Sequence, residues 1–377
     1  MTKIGALEAG GTKMVLAVYD GDGQELERLT IPTEAPEITM PHMIGFFRDH
    51  AIDALGVGSF GPLDLNPASP TYGNITSTPK LKWRNYPLLK GLLDGRDIPA
   101  AIDTDVNAAV IAEAELGAAK GCESAVYITI GTGVGGGVYV GGHTVHGLLH
   151  PEVGHTLLRP HPDDPNPRGV CPYHDGCLEG LAAGPAIGAR IGGDARELPD
   201  DHPTFRLEAY YLAQMCVNLI LTVSPQRILL GGGVMQRAAL LPMVRAETLR
   251  LLGGYVQSPV VLEHIDEYIV APALFPVSGL VGSYLIGKRA LEERRYSEGA
   301  GPKGTAPQCV EKARLRRSFP PGLRRPPTPP SAEPGGGRRK ETLLRKASES
   351  TAHVAGFGMQ HGGQRPTEPP KTDFLTV

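Results

Sequence analysis

Apolar and polar positions along the first third of the chain fall into short runs. Apolar runs at residues 3–8 and 14–19 flank Ala9-Gly10-Gly11-Thr12-Lys13, and a third at 24–31 follows Asp20-Gly21-Asp22-Gly23. Strand-length runs parted by such turn residues predict a three-stranded meander. A helical pattern at 41–51 leads to a continuous apolar run at 54–59, read as a buried strand. Residues 66–86 show no period and carry Trp83, the only tryptophan; this long irregular segment is read as a loop facing substrate. A strand at 99–103 runs into an alanine-rich helix at 108–119. Beyond it the pattern predicts strands at 125–130 and 138–140, helices at 181–191 and 205–223, and a strand at 226–230. A helix at 236–252, a short strand at 269–271 and a closing helix at 277–293 complete the series. In the closing helix, Gly279 and Gly282 invite close packing.

Three glycine-rich joints carry candidate chemistry. Gly10 and Gly11 have no Cβ to hold an anion off the backbone N–H groups, and the five glycines of Gly131-Thr132-Gly133-Val134-Gly135-Gly136-Gly137 let a second hairpin wrap phosphate oxygens. Either turn alone is an ordinary tight turn; two, each joining a strand pair, point to a phosphate clamp. This is neither a Walker A loop nor a Rossmann fingerprint, because no Gly-Lys-Ser/Thr follows and the glycines lead into a strand. Gly231-Gly232-Gly233, at a strand-to-helix junction, can admit a phosphate or a flat ring. Between the first two joints, Asp103-Thr104-Asp105-Val106-Asn107 lies where a strand turns into a helix. One of these residues suffices as an N-cap; four polar groups at the carboxyl end of a strand mark a ligand position. Capping alone is the rival reading for Asp105.

One stretch brings a different chemistry. Cys171-x-x-His174-x-x-Cys177 supplies three soft donors from one loop, and His155 supplies a fourth, the donor set of a closed tetrahedral zinc site. A disulfide is the rival reading. Such a metal would pin a proline-rich loop without a hydrophobic core, leaving no open position for substrate, while Glu152 and Glu179 flank the loop.

Length and charge narrow the class. The 377 residues suffice for two domains, and 41% hydrophobic content suits a globular chain. No run of about 20 apolar residues and no secretory leader is present, and five cysteines fit a reducing compartment; a cytoplasmic protein is expected. Residues 297–377 hold 14 Lys and Arg against 7 Asp and Glu, leaving 23 against 33 in the body. An acidic body opposes a nucleic-acid-binding core. The basic Pro/Gly/Arg-rich tail is too poor in large apolar residues to form a core and is expected to be disordered.

Five motifs occur together and in order: Glu8-Ala-Gly-Gly-Thr-Lys, Asp103-Thr-Asp105-Val-Asn107-Ala-Ala, Ile130-Gly-Thr-Gly-Val-Gly-Gly-Gly, Glu152-Val-Gly-His155 and Cys171-x-x-His174-x-x-Cys177-Leu-Glu179-Gly. Together they resemble the ROK family of sugar kinases, and within it the bacterial fructokinase branch, over residues 3–292. The resemblance implies an actin-like, ribonuclease-H-like duplicated α/β fold of two lobes. Residues 1–105, completed by the closing helix at about 277–293, would form the first lobe and 106–276 the second. It implies transfer of the γ-phosphoryl group of Mg-ATP to the 6-hydroxyl of fructose, with a glucokinase or mannokinase, or a non-catalytic sugar-binding regulator, as alternatives.

By the same resemblance Asp105 is the general base. Gly10, Gly11, Thr12 and Lys13 belong to the first phosphate loop, Thr132, Gly133 and Gly135 to the second, and Gly232 and Gly233 to the nucleoside side. Asn107, Glu152, His155 and Glu179 lie at the sugar, with His155 doubling as a ligand of a structural zinc beside Cys171, His174 and Cys177. A homodimer is a further family expectation. Glu8 where most of the family has Asp, and Cys-x-x-His-x-x-Cys where most has three cysteines, look like the fructokinase branch.

Overall fold

The computed structural model describes residues 1–299; the proposed tail lies outside them apart from its first three residues, which belong to the closing helix. The fold is α/β with two mixed five-stranded sheets. The first has β1 (Lys3–Ala9), β2 (Lys13–Asp20), β3 (Glu25–Pro32), β4 (Ala54–Ser59) and β5 (Ala100–Thr104) in the order β3-β2-β1-β4-β5. The second has β6 (Ser124–Ile130), β7 (Val134–Val140), β8 (His143–Thr144), β9 (Arg227–Gly231) and β10 (Ile269–Val270) in the order β10-β9-β6-β7-β8. Read from the opposite edge, the second sheet repeats the first: an antiparallel meander extended by two parallel strands. Among the described residues no helix is long and apolar enough to cross a membrane.

The helix Asp105–Glu115 is the hub. Its sequence, DVNAAVIAEAE, is buried from Val106 to Ala114. Small side chains allow this: Ala108, Ile111 and Ala112 pack with the first sheet and the closing helix, while Val106, Ala109, Val110 and Ala114 pack against β6, β7 and β9. The closing helix, Ser278–Gly299, presses on both β4 and this hub. A Cβ on Gly282 would stand 1.8 Å from the Ala108 carbonyl oxygen, so glycine is obligatory there.

Glu113 ties the two helices together from a fully buried position. Its carboxylate accepts from the N–H groups of Ala118 at 2.8 Å, Ala273 at 3.0 Å and Leu274 at 2.8 Å, and from the Ser278 hydroxyl at 2.8 Å. Glu113→Ala strands these donors, and is expected to cost about 3 kcal/mol or more, read as a lowered urea midpoint.

Several element boundaries differ from the sequence reading. The first helix runs Pro36–Asp49, with Pro41 inside it: Pro36 opens the helix, and burial of Thr39, Met40, Met43 and Phe47 outweighs the bond that Pro41 cannot donate. The 181–191 helix is two, Leu178–Ala182 and Gly184–Ile191, broken at Ala183, whose extended backbone precedes a fresh start with Pro185. The helix read from 236 starts at Leu240, after a 3-10 turn at Val234–Gln236.

The segment 66–86 is not a bare loop. Leu63 pairs with Ile75, a 3-10 turn spans Leu81–Trp83, and Trp83 is buried with its Nε1 donating to the Glu34 carbonyl at 2.7 Å. The tryptophan therefore anchors the segment in the core instead of facing substrate.

Candidate active site

Thr104 ends β5 and caps the hub helix, its hydroxyl accepting from the Asn107 N–H at 3.1 Å. Capping is thereby discharged, and Asp105 stands at the helix start with Oδ1 accepting from the Val106 N–H at 2.9 Å. The residue keeps part of its surface open, yet its carboxyl is enclosed enough that desolvation raises its pKa to about 6 against those backbone donors. Asp105 is one of a set of acids. Burial and the Asp105 charge push Glu8 up to about 7, opposed by Lys13 and by the Leu280 N–H of the closing helix. Burial, Glu179 and Asp105 together push Glu152 up to about 7. Glu179 Oε2 in turn accepts from the Val134 N–H at 2.9 Å and stands 2.7 Å from where a Cβ on Gly133 would sit. Four carboxylates thus connect the first glycine turn, the start of the hub helix and the second glycine turn.

The turns themselves are braced. The Gly10 N–H donates to the Lys13 carbonyl at 3.0 Å, and Thr33 holds the turn through its hydroxyl on the Gly10 carbonyl at 2.8 Å and its N–H on the Thr12 carbonyl at 3.0 Å. Gly11, Thr12 and Lys13 remain exposed. At the second turn the Gly131 N–H donates to the Gly133 carbonyl at 2.9 Å and the Gly184 N–H to the Gly131 carbonyl at 2.8 Å, with Thr132 exposed. Gly232, at φ +91°, lies so close to the end of β6 that a Cβ would stand 2.3 Å from the Ile130 carbonyl oxygen, which brings Gly232 and Gly233 beside this turn.

The hairpin is shorter than its glycines imply. β7 begins at Val134, so Gly135, Gly136 and Gly137 are strand residues. Their missing side chains seat the hub helix and Val153: a Cβ on Gly137 would stand 2.1 Å from the Val106 carbonyl oxygen, and one on Gly135 3.0 Å from Val106 Cγ1.

Asn107 is buried, its amide donating to Asp103 Oδ1 at 2.7 Å while its Oδ1 has no partner among the described residues. Asp103 also accepts from the Thr144 hydroxyl at 2.9 Å and faces His146 Nε2 at 3.1 Å, and this carboxylate raises the His146 pKa. His150, near Glu152 at 3.5 Å, accepts at Nε2 from the Leu63 N–H at 3.1 Å and has its pKa lowered by burial. The sequence reading passed over Asp103, His146 and His150 as individual site residues; the signal was the histidine density between 143 and 155.

The donors of the candidate metal centre converge. His155 Nδ1 lies 3.9 Å from both Cys171 Sγ and Cys177 Sγ, His174 Nδ1 lies 3.7 Å from Cys171 Sγ, and all four donor atoms fall within 4.8 Å of one another. A tetrahedron with bonds of about 2.3 Å to sulfur and 2.0 Å to nitrogen has edges of roughly 3.3–3.8 Å, so the four donors stand somewhat wider than an ion would hold them and would draw in around it. Both cysteines are free thiols, which removes the disulfide reading. Burial pushes the Cys177 thiol up to about 11, the Gly180 N–H opposing. A cation among the donors would favour the thiolate. On its other side, His155 Nε2 lies 4.0 Å from Glu179 Oε1, so one imidazole joins the donor cluster to the acid row.

The same loop has a second anchor that composition concealed. Asp164 accepts from Arg190 Nε at 3.1 Å and from the Tyr211 hydroxyl at 2.6 Å, while Arg190 Nη1 faces Glu208 Oε2 at 3.6 Å, all with fully buried charged groups. Burial pushes Glu208 well up, against the pull of Arg190.

A sequence model of the ROK family matches residues 4–289, and the chain belongs to that family. It is 44% identical over 289 residues to the fructokinase of Pediococcus pentosaceus, covering 77% of this chain and 99% of that one. It is 40% identical over 294 residues to the fructokinase of Zymomonas mobilis, covering 76% and 96%. Among solved structures, the ROK hexokinase of Thermus thermophilus superposes with a TM-score of 0.61 at 28% identity, over 78% of this chain and all of that chain.

Proposed function

We propose that the protein is a fructokinase, transferring the γ-phosphoryl group of ATP to the 6-hydroxyl of D-fructose to give fructose 6-phosphate. The relatives supply the substrate class, and one observation carries the chemistry: Asp105 heads a buried helix between two glycine turns, close enough to Glu8 and Glu152 to raise the pKa of both, as Glu179 also does for Glu152. Phosphoryl transfer asks the protein chiefly to position its reactants and balance charge, with a carboxylate taking the alcohol proton late in the step.

In this reading Asp105 is that acceptor. Gly10, Gly11, Thr12 and Lys13, with Thr132 and Gly133, border the phosphates, and Gly232 and Gly233 the nucleoside, while Gly135 lets the hub helix pass behind the second turn. Asn107, Glu152, His155 and Glu179 meet the sugar hydroxyls. The Asp105 charge raises the cost of ionising Glu8, which suits a nearby magnesium ion. When bound, magnesium neutralises phosphate charge. Cys171, His174, Cys177 and His155 would hold a structural zinc that fixes the loop.

The repeated sheet order supports the actin-like, ribonuclease-H-like duplication, with lobes at 1–105 plus the closing helix and 106–276, and substrates in the cleft between them. We also place the protein in the cytoplasm, as a homodimer that takes no nucleic acid on its folded body. A coupled ADP-release assay with fructose, mannose and glucose, with and without a zinc chelator, tests the assignment. Turnover with glucose or mannose in preference to fructose would make it a different kinase of the same family, and no turnover with any of the three would leave a sugar-binding regulator.

A pH profile gives a second check. Asp105 must be ionised to accept a proton, and its pKa is raised to about 6, so activity is lost as pH falls through that value. kcat/KM for fructose at saturating Mg-ATP is expected to rise tenfold per pH unit below about 6 and to level above it. A limb displaced below about pH 5 would contradict the raised pKa.

A further inference from the structure

The first glycine turn has a basic neighbour that no motif marks. Lys80 lies in the segment between β4 and β5, and its Cε stands 3.4 Å from where a Cβ on Gly11 would be. Its amine lies 6.0 Å from the ring centroid of Phe60, whose N–H is bound to the Ala9 carbonyl at 2.9 Å, immediately before the turn. Among the described residues no carboxylate lies within ion-pair distance of this amine.

The backbone of Lys80 is held on both sides. Its N–H donates to the hydroxyl of the buried Thr78 at 3.3 Å, and its carbonyl accepts from the Trp83 N–H at 2.8 Å. Trp83 is itself fixed by its bond to Glu34 and by an edge contact with Phe60 at 6.1 Å between centroids. A lysine with so constrained a backbone, no acidic partner and its stem against a glycine is presented to something. Its surroundings say what. The Gly11 turn offers backbone N–H groups, while the neighbouring acids Glu8 and Asp105 repel a phosphate that arrives without compensating positive charge. Lys13 lies close enough to Glu8 to lower its pKa, whereas Lys80 meets only the face of Phe60.

We propose that Lys80 is a further catalytic residue, its ammonium contacting the terminal phosphoryl group of the bound nucleoside triphosphate and neutralising the charge carried by its oxygens during transfer. The assignment deepens the kinase reading and rests on it for the site, but not on fructose being the acceptor. It explains why the segment is nailed down by a buried tryptophan: a flexible lysine placed by a rigid backbone loses less entropy on meeting an anion.

The test compares Lys80→Met and Lys80→Arg with the wild-type chain by titration calorimetry, using Mg-ADP and the magnesium complex of a non-hydrolysable imidotriphosphate analogue of ATP, with no sugar present. Lys80→Met is expected to lose about tenfold or more in affinity for the triphosphate with ADP affinity unchanged, and to lower kcat about 10²–10³-fold, while Lys80→Arg recovers most of the triphosphate affinity. Equal losses for ADP and triphosphate in Lys80→Met, or no loss for either, would overturn the assignment. A wild-type chain inert towards fructose whose Met variant still loses triphosphate affinity selectively would sink the fructokinase reading and leave Lys80 in place.

Discussion

Asp105→Asn is expected to keep the fold and fructose binding and to lower kcat by about 10²–10⁴-fold, the range that a positioned general base supplies. The substitution is nearly isosteric, and an amide oxygen can still accept from the Val106 N–H that Asp105 now engages at 2.9 Å. Helix initiation is spared as well, because Thr104 is the cap. Removing the charge also relieves Glu8 and Glu152, whose carboxyls Asp105 helps to hold near pKa 7, so melting temperature is expected to hold or rise. Steady-state turnover, fructose titration and a thermal melt on the same preparation make the check. Turnover within a few-fold of wild type would remove Asp105 from the chemistry; a collapsed melt would show it to be structural.

Stripping the Cys/His centre is the second large effect. With zinc held there as proposed, Cys177→Ser, or exhaustive chelation, is expected to bring metal content from about one per chain to near zero and to raise KM for fructose by about 10–100-fold, with Mg-ADP affinity little changed. The asymmetry follows from geometry. His155 Nδ1 faces the sulfurs at 3.9 Å while its Nε2 faces Glu179, so a metal on one nitrogen orients the other towards the acid row. The glycine turns that would take phosphates are held instead by Thr33 and by Gly184. The far end of the loop, where Asp164 meets Arg190 and Tyr211, survives metal loss, so the effect falls on the sugar side without unfolding the chain. Metal analysis alongside kinetics decides it: a metal-free protein with unchanged KM would reduce the centre to a decorative cluster.

Much of the fold was legible because its strands are short, almost wholly apolar runs bounded by glycine and aspartate, as in β1, β2, β4 and β6. Elements whose ends depend on packing were not. Pattern alone puts Pro41 at a helix start, yet it lies inside a helix whose other face is buried. Five glycines between 131 and 137 look like one long phosphate hairpin, and three of them serve the passage of the hub helix and the seating of Val153. Trp83 in an aperiodic stretch looks like a binding loop, whereas burial makes it the nail that holds one.

The order of motifs and the identity of the donors were set by the chain itself: glycines where only a bare backbone fits, thiols and imidazoles in a metal-ligand set, and an aspartate at a strand-to-helix joint. Local chemistry of that kind is written in adjacent residues. Tertiary structure alone decided which distant groups meet. It drew Glu8, Asp105, Glu152 and Glu179 into one row, brought Lys80 against Gly11, and joined Asp164 to Arg190 and Glu208. The reason is that pKa values and charge partnerships depend on desolvation and on distances of a few ångströms between segments far apart in sequence, and only the packing of two sheets around one alanine-rich helix sets those distances.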